Sequence, residues 1–518
     1  MRFRVRVLGA IDGWITNLIG DEWLFTIQLD LIMTATSPRL PQRSLRRIAR
    51  RLLTGLGFGL LTLIGGCWLW RSGNDSANRR LIAEVREAGE PMTLPDVQAR
   101  RSVVADPENA AVPLLDLWES ESPEFWSKWR VGSHPTAKQA EPKMPPELVE
   151  LVRTVGWKKG KLPMDTAVRS VAAEYLKAQS DHLAAVRVAL RRPRADFKVD
   201  PREWFGTLLP HQREMRREAR LFWLEALLAI DRGDADAAIR VMGDLERVAD
   251  LLAEEPTMEG HLVRLSSASR AVGVVEYLLC RGTPTARQLV AMEQVLAKLS
   301  FLKGLSHAFS NERAMALHLL SMPIMDVANL DGDPDGDGID QLNGRPLRMA
   351  EWLYVMAGWK AADTRLVLTT YARAIELSGD PTPQNLQELR RVFETAKQSV
   401  ASFPPKYYSG VLLPALTGFG DSWGVLEARR RLAWIAVAIE RHRLAHGGMV
   451  PQRIEELDSL PPNELLQDVF LPQPLKFVRS ERGYRIYSVG KDRSDEGGRV
   501  RPSRGPVDAF DETFTVER

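Results

Sequence analysis

The sequence predicts a mainly α-helical protein: a membrane-anchored domain of helical hairpins followed by a small α+β module. Three observations carry this expectation. Leu52–Trp70 holds nineteen residues without a charge, behind the six arginines Arg39, Arg43, Arg46, Arg47, Arg50 and Arg51. Apolar residues then recur at helical spacing through most of 79–402. After 421, one more periodic helix gives way to short alternating runs, the pattern of strands.

The uncharged run comes first. At 1.5 Å per residue its helix would reach about 28 Å, close to the hydrocarbon thickness of a bilayer. The arginines put residues 1–51 in the cytoplasm by the positive-inside rule. Trp68 and Trp70 stand where an aromatic belt meets the far interface. The anchor is thus 52–70, and the bulk of the chain is periplasmic or otherwise extracytoplasmic, on a bacterial inner membrane. Residues 1–32 show no clean period and read either as cytoplasmic tail or as untranslated sequence before Met33. Ile64-Gly65-Gly66-Cys67 also fits a lipobox, so a lipoprotein held through Cys67 stands as the alternative to an uncleaved helix.

Composition narrows the rest. The chain has 518 residues and a formal net charge of +3. With the arginine block set aside the remainder is near neutral, which leaves no nucleic-acid footprint. Of the two cysteines, one lies in the apolar run, so Cys280 has no disulfide partner and the exported part is held by packing.

A polar connector follows Arg71, then a short amphipathic helix over 79–88. Gly89-Glu90-Pro91 stops it, and Pro107-Glu108-Asn109-Ala110-Ala111 opens another helix. This pairing resembles the membrane-proximal part of uncharacterised single-span bacterial envelope proteins, a resemblance that implies no chemistry. Trp118, Trp126, Trp129 and Trp157 cluster in sequence and read as packing contacts. Helices are expected over 211–231 and 235–252 around the turn Gly233-Asp234. That hairpin resembles one tetratricopeptide unit, but no second copy follows. Thr283 or Thr285 is the expected cap of the next helix. Helices at 347–358, 361–377 and 382–401 follow, closing the helical domain at 402. The segment 403–420, rich in Pro, Gly and Tyr, reads as a linker, and Trp423–His446 is a strongly periodic helix ended by Gly447-Gly448.

No catalytic motif survives inspection. His442 and His446 stand one helical turn apart, but Arg443 and Leu444 occupy the place of the glutamate base of zinc proteases. The pair therefore reads as a solvated helix face. Gly156–Lys161 is one residue short of a phosphate-binding loop, and Ser300-Phe301-Leu302-Lys303 lacks the companion motifs of acyl-transfer enzymes. One cluster invites a metal: Asp331, Asp333, Asp335, Asp337 and Asp340 alternate with glycines at the spacing that wraps oxygen ligands around calcium. The bidentate glutamate of an EF-hand is missing from that loop, at 331–340, so the expected cofactor is weakly held calcium.

The C-terminal segment 421–518 carries the most specific resemblance. Its helix ends in Gly-Gly; Pro451 and Ile454-Glu455-Glu456-Leu457 follow. Then come Pro472-Gln473-Pro474-Leu475-Lys476-Phe477 and Gly483-Tyr484-Arg485-Ile486-Tyr487-Ser488-Val489-Gly490. These motifs resemble the globular domain of the type II secretion major pseudopilin. The resemblance implies an α+β fold with a calcium loop whose positions map onto Ser488, Gly490, Asp492 and Asp495. Arg493 stands where that family has glycine, and the membrane helix lies far upstream instead of running into the module. The segment is therefore read as a borrowed fold. The leading functional expectation is a membrane-anchored scaffold that binds other envelope proteins. The alternative is an envelope hydrolase whose site is assembled from residues distant in sequence.

Overall fold

The computed structural model describes residues 42–100, 103–124, 126, 144–155, 164–197, 209–255, 257–299, 304–324, 326–327, 345–380, 382–413, 416, 418–458, 461–499 and 510–517. It separates into two units, Met1–Leu69 and Trp70–Arg518. The fold is mainly helical, with one small three-stranded sheet.

In the first unit the described residues belong to the helix Gln42–Glu87, which is long and apolar enough to cross a membrane. Leu53, Leu56, Phe58, Leu60, Leu61 and Leu63 on it are all exposed. The connector expected after Arg71 is helical instead. Asn74 Nδ2 donates to the Trp70 carbonyl at 3.0 Å, and Arg71 pairs with Asp75 one turn on at 3.6 Å, so the polar residues close the turn from within.

In the second unit the heart is a run of three helices, Pro210–Asp231, Ala235–Asp250 and Met258–Arg281, packed on one another. The hairpin turn needs a left-handed residue, which Gly233 supplies at φ +77°. Asp234 then caps the next helix by accepting the Ala237 N–H at 2.9 Å. Thr285 caps Ala286–Lys298 in a full capping box with Gln288, settling the choice between Thr283 and Thr285. The second layer is Leu305–Ser321, Trp359–Gly379 and Pro383–Val400. Trp118 and Trp126 are buried and stacked at 6.3 Å, as packing residues; Trp129 and Trp157 lie outside the described residues.

The segment 403–420 is not a free linker. It contains the helix Tyr407–Leu412, and Tyr408, Leu412, Leu413 and Leu416 are buried. Tyr408 Oη donates to the Met322 carbonyl at 2.6 Å, a partner far back in the chain. Helix Phe419–Ala445 buries Trp423, Leu432, Ile435, Ala436 and Ile439 against Met258–Arg281 and Ala286–Lys298. The C-terminal segment thus shares its core with the helical domain.

The sheet is an antiparallel meander in the order β1 (Lys476–Ser480), β2 (Gly483–Ser488), β3 (Glu512–Glu517). A hairpin joins β1 to β2, with Gly483 already in β2 and paired with Ser480. Tyr484 and Ile486 point inward, and the Tyr484 hydroxyl reaches Glu440 at 2.9 Å. β3 is tied to Met258–Arg281: Cys280 Sγ donates to the Thr515 carbonyl at 3.0 Å, and the Thr515 N–H donates to Glu276 at 3.2 Å.

Candidate metal centre

Among the described residues, the cluster with donor atoms close enough to share a metal ion is His442, His446 and Asp458, all within 4.8 Å of one another. The helix Phe419–Ala445 supplies His442 from its last turn and His446 as its C-cap. Gly447 and Gly448, both left-handed at φ +62° and +90°, turn the chain back. One 3₁₀ turn at Ile454–Glu456 and the buried Leu457 then set Asp458 beside the rings. Asp458 Oδ2 lies 3.3 Å from His442 Nδ1 and 3.5 Å from His446 Nδ1.

Those separations have a chemical meaning. Four ligands about 2.0–2.1 Å from a tetrahedral zinc ion lie about 3.3–3.4 Å from one another. Two imidazole nitrogens and one carboxylate oxygen suit zinc or a neighbouring transition ion better than calcium. His442 is only 11% exposed, so the reading as a solvated helix face is corrected for it, while His446 at 40% is partly solvated. The His442 Nδ1 is buried and makes no hydrogen bond. His446 Nδ1 also lies 2.9 Å from the His442 carbonyl, so a proton there would be given up on metal binding. The glutamate base of zinc proteases is absent from this turn, as the sequence indicated: Arg443 is paired with Glu440 at 3.1 Å.

Two further clusters of ionisable groups are enclosed. His182 lies between Glu121 at 2.6 Å and Glu218 at 2.8 Å, and Trp118 Nε1 donates to Glu218 at 3.1 Å. Burial works against the imidazolium, but the hydrogen bonds to Glu121 and Glu218 outweigh it and push His182 up to about 9. Burial likewise raises Glu121, while His182 and Arg217 together hold it down to about 2. Asp363 is fully buried and accepts four hydrogen bonds, from Tyr354, the Tyr408 N–H and both the N–H and hydroxyl of Ser409.

The calcium residues expected from sequence fall in two places. Asp331, Asp333, Asp335, Asp337 and Asp340 lie outside the described residues. Asp492 accepts the Ser494 N–H at 3.2 Å and Asp495 the Gly497 N–H at 2.9 Å, each closing a local turn. Arg390, Arg391, Lys491 and Arg493 line the same surface depression as Asp492, a surround that competes with a cation. Arg493 itself takes φ 61°, the left-handed conformation that glycine adopts most readily. Ser488 is occupied elsewhere: its hydroxyl donates to the buried Asp468 at 2.8 Å, and the Val489 N–H donates to the same carboxylate at 2.9 Å.

No family model, curated protein or solved structure matches this chain. The reading of its function therefore rests on its own residues.

Proposed function

We propose that this protein is a membrane-anchored extracytoplasmic scaffold that binds other proteins of a bacterial envelope. One observation carries the reading: two clusters of charged groups that converge inside the body are spent on their own neighbours. Glu121, His182, Glu218 and Arg217 form a closed network between helices, and Asp363 is saturated by its donors. Such networks rigidify a body and specify its packing. The arginine block and the exposed apolar helix support the anchor, with the N-terminus in the cytoplasm. The helix Phe419–Ala445 packed on a three-stranded meander supports the pseudopilin-like reading of the C-terminal segment.

The experiment has two arms. Reporter fusions at residue 518 test topology: a cytoplasm-only reporter that is active there overturns it. Crosslinking in intact membranes followed by purification of the full chain tests scaffolding. A partner recovered in fixed proportion supports it, and recovery of the chain alone at every crosslinker length overturns it.

A second reading, an envelope hydrolase, is favoured by one feature. Catalytic zinc sites keep three protein ligands and an open position, and His442, His446 and Asp458 are three. A structural site would instead staple the loop 447–458 to the end of its helix. Zinc that raises the unfolding midpoint without giving hydrolysis of ester or peptide substrates assigns the staple.

A further inference from the structure

The helix Arg345–Met356 turns its apolar stripe away from the protein. Tyr354 is its inward residue, 3% exposed and bonded to Asp363. On the opposite side Met349, Trp352, Leu353 and Met356 are 65%, 59%, 37% and 47% exposed. These four fall at i, i+3, i+4 and i+7, one continuous face. Scattered exposed apolar residues are ordinary, but a contiguous helical face of this kind marks an interaction surface.

Its position identifies the occupant. Arg71 is the first residue after the uncharged run ends at Trp70. Arg71 Nη1 lies 3.7 Å from Met356 Sδ, at the end of the exposed face. Gly358, left-handed at φ +78°, approaches so closely that an added Cβ would sit 2.8 Å from Arg71 Cβ. Asn78 Nδ2 donates to the Ala361 carbonyl at 2.9 Å, fixing the same junction one turn further on. The stripe is therefore held beside the residue at which the anchor enters water. Phe403, 78% exposed and edge-on to Trp359 at 5.5 Å, adds an aromatic nearby. The first turn of the helix carries no acidic residue, and its sequence holds Arg345 and Arg348. Tryptophan and methionine on one face with arginines in the same helix is the composition of a helix lying in a lipid interface.

We propose that helix Arg345–Met356 is an interfacial helix, seated by Met349, Trp352, Leu353 and Met356 in the headgroup–acyl boundary where the anchor leaves the bilayer. The inference rests on the anchored reading above and adds a second membrane contact to it. That contact would fix the height and tilt of the body on the membrane.

The full chain, with Cys67→Ser and Cys280→Ser, is reconstituted into phosphatidylethanolamine–phosphatidylglycerol vesicles. Nitroxide labels go in one at a time through Trp352→Cys, Leu353→Cys, Leu60→Cys and Val478→Cys. Each label's collisions with oxygen, which concentrates in lipid, are compared with those with a water-soluble nickel chelate. Labels at 352 and 353 are expected to favour oxygen, as the label at 60 in the apolar run does, while 478 on exposed β1 favours nickel. If 60 favours oxygen but 352 and 353 match 478, this inference fails and the anchor stands. If 60 itself favours nickel, the anchored reading fails and takes the inference with it. Labels at 352 and 353 shielded from both reagents would mean a protein partner or a second copy on this face, and would overturn the lipid assignment.

Discussion

Tyr354 donates its hydroxyl to Asp363 at 2.5 Å, and this bond joins the outer helix Arg345–Met356 to the body. Asp363 also receives the backbone of Tyr408 at 2.8 Å and of Ser409 at 3.1 Å, so one carboxylate gathers three helices. Tyr354→Phe keeps the ring and removes the donor. A protein hydrogen bond contributes about 0.5–1.5 kcal/mol net, and the loss here should be of that order. Urea unfolding of the detergent-solubilised chain measures it. An unchanged midpoint would mean that the hydroxyl contributes nothing net.

The sequence shows which residues share a helix face but not which side of the molecule that face meets. The spacing of Met349, Trp352, Leu353 and Met356 is that of a core stripe, and only the fold turns it outward. The same holds for partners distant in sequence. His182 and Glu218 are on different helices, and Asp458 returns to His442 only because two left-handed glycines reverse the chain. The segment 403–420 misleads because its Pro, Gly and Tyr content matches a linker, while its tertiary bonds to Met322 and Asp363 leave no local trace. What was legible was local: the turn at Gly233, a threonine cap at 283 or 285 and the alternating runs of β1 and β2.

The network around His182 predicts the pH dependence of stability. The imidazole is raised from 6.5 to about 9 in the folded chain, so its contribution is complete below pH 6.5 and is lost as pH rises through 9. Glu121 is lowered from 4.5 to about 2, so its contribution is complete above pH 4.5 and is lost as pH falls through 2. Unfolding midpoints should therefore plateau between pH 4.5 and 6.5. The alkaline loss should be roughly 2 kcal/mol, less than the full shift implies because Glu121 is partly exposed to solvent. His182→Gln should unfold more easily at pH 6 and show little further decline towards pH 9. A wild-type profile flat across that alkaline window would refute the assignment.

Zinc should bind at His442, His446 and Asp458 with near-unit stoichiometry in calorimetry of the full chain. A ligand that binds only the folded state stabilises it by about 2.7 kcal/mol at a hundred times its Kd. Asp458→Asn should weaken binding and His442→Ala should abolish it. Removal of the ion by a chelator should return the midpoint to that of His442→Ala. Equal heats for wild type and His442→Ala would dismiss the centre.

Two glycine-to-alanine changes should act in opposite directions. Gly243 lies within the helix Ala235–Asp250 with open space where a Cβ would go, so Gly243→Ala should stabilise by about 0.5–1 kcal/mol through helix propensity. Gly483 begins β2, and a Cβ there would stand 2.0 Å from the Val516 carbonyl oxygen, which is backbone and cannot swing aside. Gly483→Ala must push β3 away, at an overpacking cost of about 1–3 kcal/mol. The displacement has a second readout, because β3 holds Cys280 through the Thr515 carbonyl at 3.0 Å. On a Cys67→Ser background, thiol labelling of Cys280 should quicken in Gly483→Ala and stay unchanged in Gly243→Ala. Stability lost without faster labelling would mean that the strand absorbs the methyl group locally, with β3 still in place against Met258–Arg281.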